Sequence, residues 1–268
     1  MIDAHVHLWR LGRNACAWPT PDLAPIYRDF TLDDLRGITR STGVERVILV
    51  QSQEDAADTS WLLANANNPL IAAVVGWVDF SRADAAERIA ALAANPALRG
   101  LRPMVQDRQD NWYDAAELEP AFAAMCAHVL VLDALIRPRH LKSLHRLAER
   151  HSDLAIVIDH GAKPDFRDLV SWGDQVSKIA RLPNVSCKLS GLLTELPIRA
   201  PAEAIEPAFD ALWNAFGAER LVWGSDWPVL RLGGNYAAWL EQAQRLVPSA
   251  HRQAVFDSNA RRIYGIHQ

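Results

Sequence analysis

Cysteine is scarce in this chain. Cys16, Cys126 and Cys187 are three in 268 residues, odd in number and far apart. That spacing makes neither a zinc motif nor a disulfide framework, so structural or incidental thiols in a reducing cytoplasm are expected. No apolar stretch approaches the roughly 20 residues of a membrane span. The N-terminus enters an apolar strand at once, without a basic segment ahead of it, so neither a membrane partner nor a signal peptide is expected. Positive charge is not in excess: 28 Lys and Arg face 32 Asp and Glu, for a net charge of −4. With no basic run, this balance argues against a nucleic-acid surface. Repeats, low-complexity tracts and linkers are missing, which points to one domain over residues 1–268. No exposed apolar stripe specifies an oligomer.

What is present is alternation. Apolar, Val- and Ile-rich runs occur at residues 2–8, 46–50, 71–78, 98–101, 129–135, 155–158, 185–189 and 221–223. Nearly continuous apolar runs are the mark of strands buried on both faces. Helical patterns lie between them: one opening at Thr31, then 81–94, 138–150, 201–216 and 236–246. Eight strands with helical crossovers predict an α/β fold, a (β/α)8 TIM barrel. An open doubly wound sheet is the alternative, disfavoured because no Gly-rich phosphate loop follows the first strand. Two long aperiodic connections, 10–29 and 106–120, follow C-terminal strand ends. They are expected to wall the pocket through Trp18, Tyr27, Arg28, Trp112 and Tyr113, or else simply to pack onto the barrel.

The apolar runs end in polar residues: His5 and His7, Gln51, Asp79, Arg102, Asp133, Asp159 and His160, Lys188 and Ser190, and Asp226. Side chains two apart in a strand share a face, so His5 and His7 point the same way. If the first and last strands are neighbours in a closed barrel, these imidazoles meet the Asp226 carboxylate at the C-terminal rim, where barrel enzymes place their chemistry. Buried charge must be paired or used, and this convergence suits hydrolysis. The direction of Lys188 decides its role: were Cys187 to face inward instead, Lys188 would point at the helices.

His5-x-His7, the segment Asp159-His160-Gly161-Ala162-Lys163-Pro164, and Gly224-Ser225-Asp226-Trp227-Pro228 resemble the amidohydrolase superfamily. Gln51, Gly100-Leu101-Arg102-Pro103 and the terminal stretch from Asn259 to Gly265 are similar to one branch, the amidohydrolase-2 group of lactone hydrolases. That group includes sugar lactonases and 2-pyrone-4,6-dicarboxylate lactonase. The Trp18 loop and Val75-Gly76-Trp77-Val78-Asp79 look most like the sugar-lactone members. The resemblance implies an enzyme of carbohydrate catabolism that opens a sugar-acid lactone, such as L-fuconolactone or L-rhamnonolactone.

In that light Asp226 is the expected general base. His5, His7 and His160 would polarise the carbonyl and stabilise its oxyanion. Arg102, Lys188, Gln51 and Trp18 would bind substrate. Members with two metals carry a bridging Lys or Glu on strand four and a His on strand five. Here those strands offer Arg102 and Asp133, while His128 sits at the wrong end. A two-metal centre is therefore not expected. His5, His7 and Asp226 could hold one zinc or other divalent ion, with His160 as a fourth ligand or a free polarising group, and the branch implies no strict metal requirement. Tryptophans 9, 18, 77, 112, 223 and 227 offer rings for a sugar face. The competing readings are a zinc-dependent decarboxylase of an aromatic or muconate acid on the same scaffold, and a non-catalytic ligand-binding barrel.

Overall fold

The computed structural model describes residues 1–267. Eight parallel strands run in sequence order: β1 (Ile2–Val6), β2 (Arg46–Val50), β3 (Ile71–Gly76), β4 (Leu98–Leu101), β5 (Val131–Ala134), β6 (Ile156–Ile158), β7 (Val185–Leu189) and β8 (Leu221–Trp223). All eight coincide with the apolar runs of the sequence. The barrel closes between its ends: His7 N–H donates to the Trp227 carbonyl at 2.8 Å, and Asp226 N–H to the His5 carbonyl at 2.9 Å. These two bonds place the first and last polar motifs side by side.

The crossovers are α1 (Leu32–Thr39), α2 (Ala56–Ala64), α3 (Ala85–Ala93), α4 (Glu119–Ala127), α5 (Leu141–Arg150), α6 (Leu169–Ile179), a short α7 (Leu192–Glu195) and α8 (Glu206–Arg220), and α9 (Tyr236–Leu246) and α10 (Asn259–Ile263) follow the last strand. Their starts follow ordinary capping chemistry. Thr31 and Asp34 form a capping box on α1, and Asp55, Asp168 and Asn235 each accept a backbone N–H at the starts of α2, α6 and α9. Among the described residues no helix is long and apolar enough to cross a membrane.

Strand alternation divides the core in two. Outward residues such as Val47, Leu49, Cys187, Leu189 and Leu221 join the large sheet–helix core. Inward residues Ile2, Ala4, Ile48, Val50, Ala73, Val75, Val131, Val157 and Val222 fill the barrel floor, which Ala260, Tyr264 and Ile266 of the C-terminal segment complete. In β1 the register shifts between Asp3 and Val6. Such an irregularity re-aims side chains. Below it Ala4 faces the floor while Asp3 turns to the helices, where its carboxylate accepts from Tyr236 Oη at 2.8 Å and Ser225 N at 2.8 Å. Above it His5 and His7 both face the axis.

Candidate active site

Three chain segments meet at the C-terminal mouth around one atom, Oδ1 of Asp226. Nε2 of His7 lies 3.3 Å from it, Nε2 of His5 3.6 Å and Nε2 of His160 3.8 Å. This oxygen is buried and receives no hydrogen bond of normal geometry within the protein. Asp226 holds its place through backbone strain: its φ of 59° is left-handed, which ends β8 and turns the carboxylate to the axis. Ser225 supports the turn by accepting the Trp227 N–H at 2.9 Å.

His160 is held by a more unusual device. From His160 to Lys163 four consecutive residues have φ between 53° and 64°, and only Gly161 among them is glycine. Left-handed backbone costs roughly 1–2 kcal/mol per non-glycine residue, so the surroundings must enforce it. Trp172 does so in part, donating from Nε1 to the Gly161 carbonyl at 2.8 Å. The turn brings both His160 and Lys163 to the pocket. Ser190 Oγ lies 2.8 Å from Nδ1 of His160. At Gly191, with φ +63°, a Cβ would run into the His160 ring. Gly224 makes similar room for His5: a Cβ there would lie 2.7 Å from the His5 Cβ.

Beneath the imidazoles is a buried charged layer. Lys188 is fully buried and faces inward, bonded to Asp133, with Asp159 Oδ1 at 3.1 Å and His5 Nδ1 at 3.1 Å. Arg102 donates to the Gln51 carbonyl and, at 3.3 Å, to Asp159. Tyr264 rises from the floor and donates to Asp133 at 2.7 Å. The charges shape titration. Burial, then Lys188, push His5 well below the ordinary histidine value; burial also lowers His160, against the pull of Asp226. Burial works to raise Asp226 and Asp159. The histidines beside Asp226, and Lys188 beside Asp159, outweigh it, and both carboxyls are held below their usual range. The result is an ionised Asp226, with the neutral forms of His5 and His160 favoured.

Of the sequence-expected site residues, His7, His160, Asp226, Arg102 and Trp18 line one pocket of about 690 Å³, with His5 buried directly behind His7 and Asp226. Two expectations are corrected. Lys188 points inward as required for a role, but one layer too deep: it lies under His5 and away from the pocket wall. Gln51 is likewise buried and spends its Nε2 on the Arg102 carbonyl at 2.8 Å. Both support the site from beneath. The aromatic expectation also narrows. Trp9, Trp223 and Trp227 are buried packing, while Trp77 and Trp112 line an adjoining cavity that shares Glu54, Met104 and Asp107 with the pocket, which leaves Trp18 on the pocket wall. Tyr113 is fully buried as well.

The sequence reading missed Gln53, Lys163 and Glu195. Gln53 pins the first long loop, donating to the Trp18 carbonyl at 2.8 Å and accepting from Ala17 N and Trp18 N. Lys163 pairs with Glu195 at 3.3 Å on the wall. Its position three residues after His160 was the available signal.

The residues also fit a single divalent cation. Ligand atoms around a tetrahedral zinc stand about 3.3 Å apart, given bonds of about 2.0–2.1 Å. The His5–His7, His7–Asp226 and His5–Asp226 separations are 3.1, 3.3 and 3.6 Å. His7 donates its Nδ1–H to the Val50 carbonyl at 2.8 Å, which aims a bare Nε2 at the orphaned Asp226 oxygen, the usual support of a metal-binding histidine.

A family model described as Amidohydrolase matches residues 2–266. An L-fucono-1,5-lactonase of Burkholderia ambifaria is 45% identical, over 99% of this chain and 95% of that protein. A second L-fucono-1,5-lactonase, from Burkholderia multivorans, is 34% identical over 99% of this chain and 96% of its own length. Among solved structures, a Burkholderia multivorans amidohydrolase with bound zinc superposes with a TM-score of 0.93 at 33% identity, covering 99% of each chain.

Proposed function

Because the chain belongs to the amidohydrolase family along nearly its whole length, we propose that it hydrolyses a sugar-acid lactone of the L-fucono- or L-rhamnono- type to the open aldonic acid. It is a hydrolase acting on a lactone ester. The relatives at 45% and 34% identity support that chemistry and favour the fucono- ring. The observation that carries the mechanism is the Asp226 oxygen, ionised, without a donor of normal geometry, and ringed by three imidazoles at the pocket floor.

A lactone needs an activated water, a polarised carbonyl and a proton for the leaving ring oxygen. Asp226 Oδ1 takes a proton from water as the water oxygen attacks the carbonyl carbon. Ser190 O–H donating to Nδ1 of His160 leaves the Nε2–H of that ring to face the pocket and stabilise the oxyanion. The ring C–O bond then breaks, and Asp226 returns its proton to the departing oxygen. A divalent cation, when bound, would be held by His5, His7 and Asp226 and would add Lewis acidity and a more acidic water.

The walls suit a polyhydroxylated ring with one apolar face. Trp18, Met104, Leu135 and Val229 supply apolar surface, and Lys163 and Glu195 supply hydroxyl partners. A decarboxylase would want an arginine free to grip a substrate carboxylate. Arg102 already spends its terminal nitrogens on Gln51 and Asp159. The test is acid release, read with a pH indicator, across a panel of aldonolactones, with and without a chelator. Turnover of fucono- or rhamnono-lactones supports the reading; no turnover of any lactone, with decarboxylation of an aromatic acid, overturns it.

A further inference from the structure

The buried layer beneath the histidines has no part in the steps above, yet it touches His5 directly. Nδ1 of His5 has two suitors. Lys188 Nζ lies 3.1 Å away and can only donate; Asp159 Oδ1 lies 3.4 Å away and, ionised, can only accept. Lys188 Nζ is within hydrogen-bond reach of Asp133 and His5 Nδ1, while Asp159 Oδ1, at 3.1 Å, is its ion-pair partner and is left without a hydrogen bond of normal geometry. A neutral imidazole carries one N–H, so it serves one suitor at a time.

Each choice has a consequence at the far side of the ring. If Nδ1 accepts from Lys188, the His5 proton sits on Nε2 and is donated to the bare Nε2 of His7 at 3.1 Å. The two histidines then close on each other, and His5 has no lone pair for a cation. If Nδ1–H donates to Asp159, Nε2 is bare. It then faces Arg102 Nη1 at 3.4 Å and joins His7 Nε2 and Asp226 Oδ1 in presenting three lone pairs to one point. The closed form has contacts of 3.1 and 3.1 Å, the open form 3.4 and 3.4 Å. The shorter set makes the closed tautomer the resting one. Passage between them moves the proton within one ring and changes no net charge.

We propose that Lys188 and Asp159 compete for Nδ1 of His5, and that this competition sets the affinity of the site for a divalent cation. Lys188 holds the tautomer that works without metal, and Asp159 supports the one a metal selects. The proposal rests on His5, His7 and Asp226 being the cation ligands, and the test separates the two.

Zinc affinity is measured on the full-length protein by competition with a chromogenic chelator at one fixed pH, for wild type, Lys188→Met, Asp159→Asn and His7→Ala. Lys188→Met is expected to bind zinc about tenfold or more tighter, and Asp159→Asn about tenfold or more weaker, the worth of one hydrogen bond to a charged group. Removing Lys188 strands two buried carboxylates, so Lys188→Met/Asp133→Asn is measured beside it, with the same tightening expected. Nitrogen NMR of metal-free wild type, labelled at histidine, reads the tautomer with no substitution: Nε2–H is expected at His5, crossing to Nδ1–H on adding zinc. Unchanged zinc affinity in both Lys188 variants, or Nδ1–H at His5 in the metal-free protein, overturns the competition. Unchanged zinc binding in His7→Ala overturns the ligand assignment, and the proposal with it.

Discussion

Gly191→Ala is expected to displace His160 while leaving that residue unsubstituted. The native φ of Gly191 is +63°, and an added Cβ would enter the space of the His160 ring. Two costs follow. Left-handed backbone costs alanine roughly 1–2 kcal/mol. The steric conflict adds about 1–3 kcal/mol, the usual range for overpacking. Together these amount to roughly 2–5 kcal/mol, or on the order of 10 °C in Tm for a chain of this size. The two terms separate in a double-mutant cycle with His160→Ala, which removes the ring. In that background Gly191→Ala should cost only the backbone part, leaving a coupling of about 1–3 kcal/mol. Thermal unfolding of the four proteins measures it. Lactone hydrolysis by Gly191→Ala should fall about 10²-fold in kcat, the effect of losing one oxyanion donor. Equal costs in the two backgrounds, or wild-type kcat in Gly191→Ala, would refute the packing of Gly191 against His160.

Two further outcomes follow from the buried layer. His5 and His160 titrate below the ordinary histidine value of 6.5 in the folded chain, so the unfolded chain binds more protons as pH falls past that value. Stability is therefore complete above 6.5 and lost as pH drops through the folded values, with Asp226 extending the loss at still lower pH; Tm against pH checks it, and a flat profile down into the carboxylate range contradicts it. Tyr264→Phe removes the donor 2.7 Å from Asp133 while keeping the ring that closes the barrel floor. It should destabilise by about 1–3 kcal/mol, measured by denaturant unfolding, and unchanged stability would count against the bond.

The strands were legible because burial on both faces leaves runs such as Arg46–Val50 and Val185–Leu189 apolar or inward-pointing throughout, and because the polar residue at each end marks the rim. Helices α2, α4 and α6 escaped reading. In α2 and α4 the apolar residues are spread around the helix, and α6 carries Gly173 within it. Alternation left open whether Lys188 or Cys187 faces inward, and it carries no depth, since depth depends on register between strands. That is why a residue expected in the pocket lies under His5. Lys163 stayed without a role because three non-glycine residues in left-handed backbone cannot be foreseen from residue types. The trio of His5, His7 and Asp226 was readable because barrel closure alone brings the first and last strands together.

The central claim is that Asp226 activates water against a lactone. The direct measurement is the steady-state rate of Asp226→Asn beside wild type on L-fucono-1,5-lactone, followed by acid release. A kcat lower by about 10²–10⁴, with KM near wild type, is the result expected of a lost general base. Comparable rates in the two proteins, or no turnover by wild type, would contradict it.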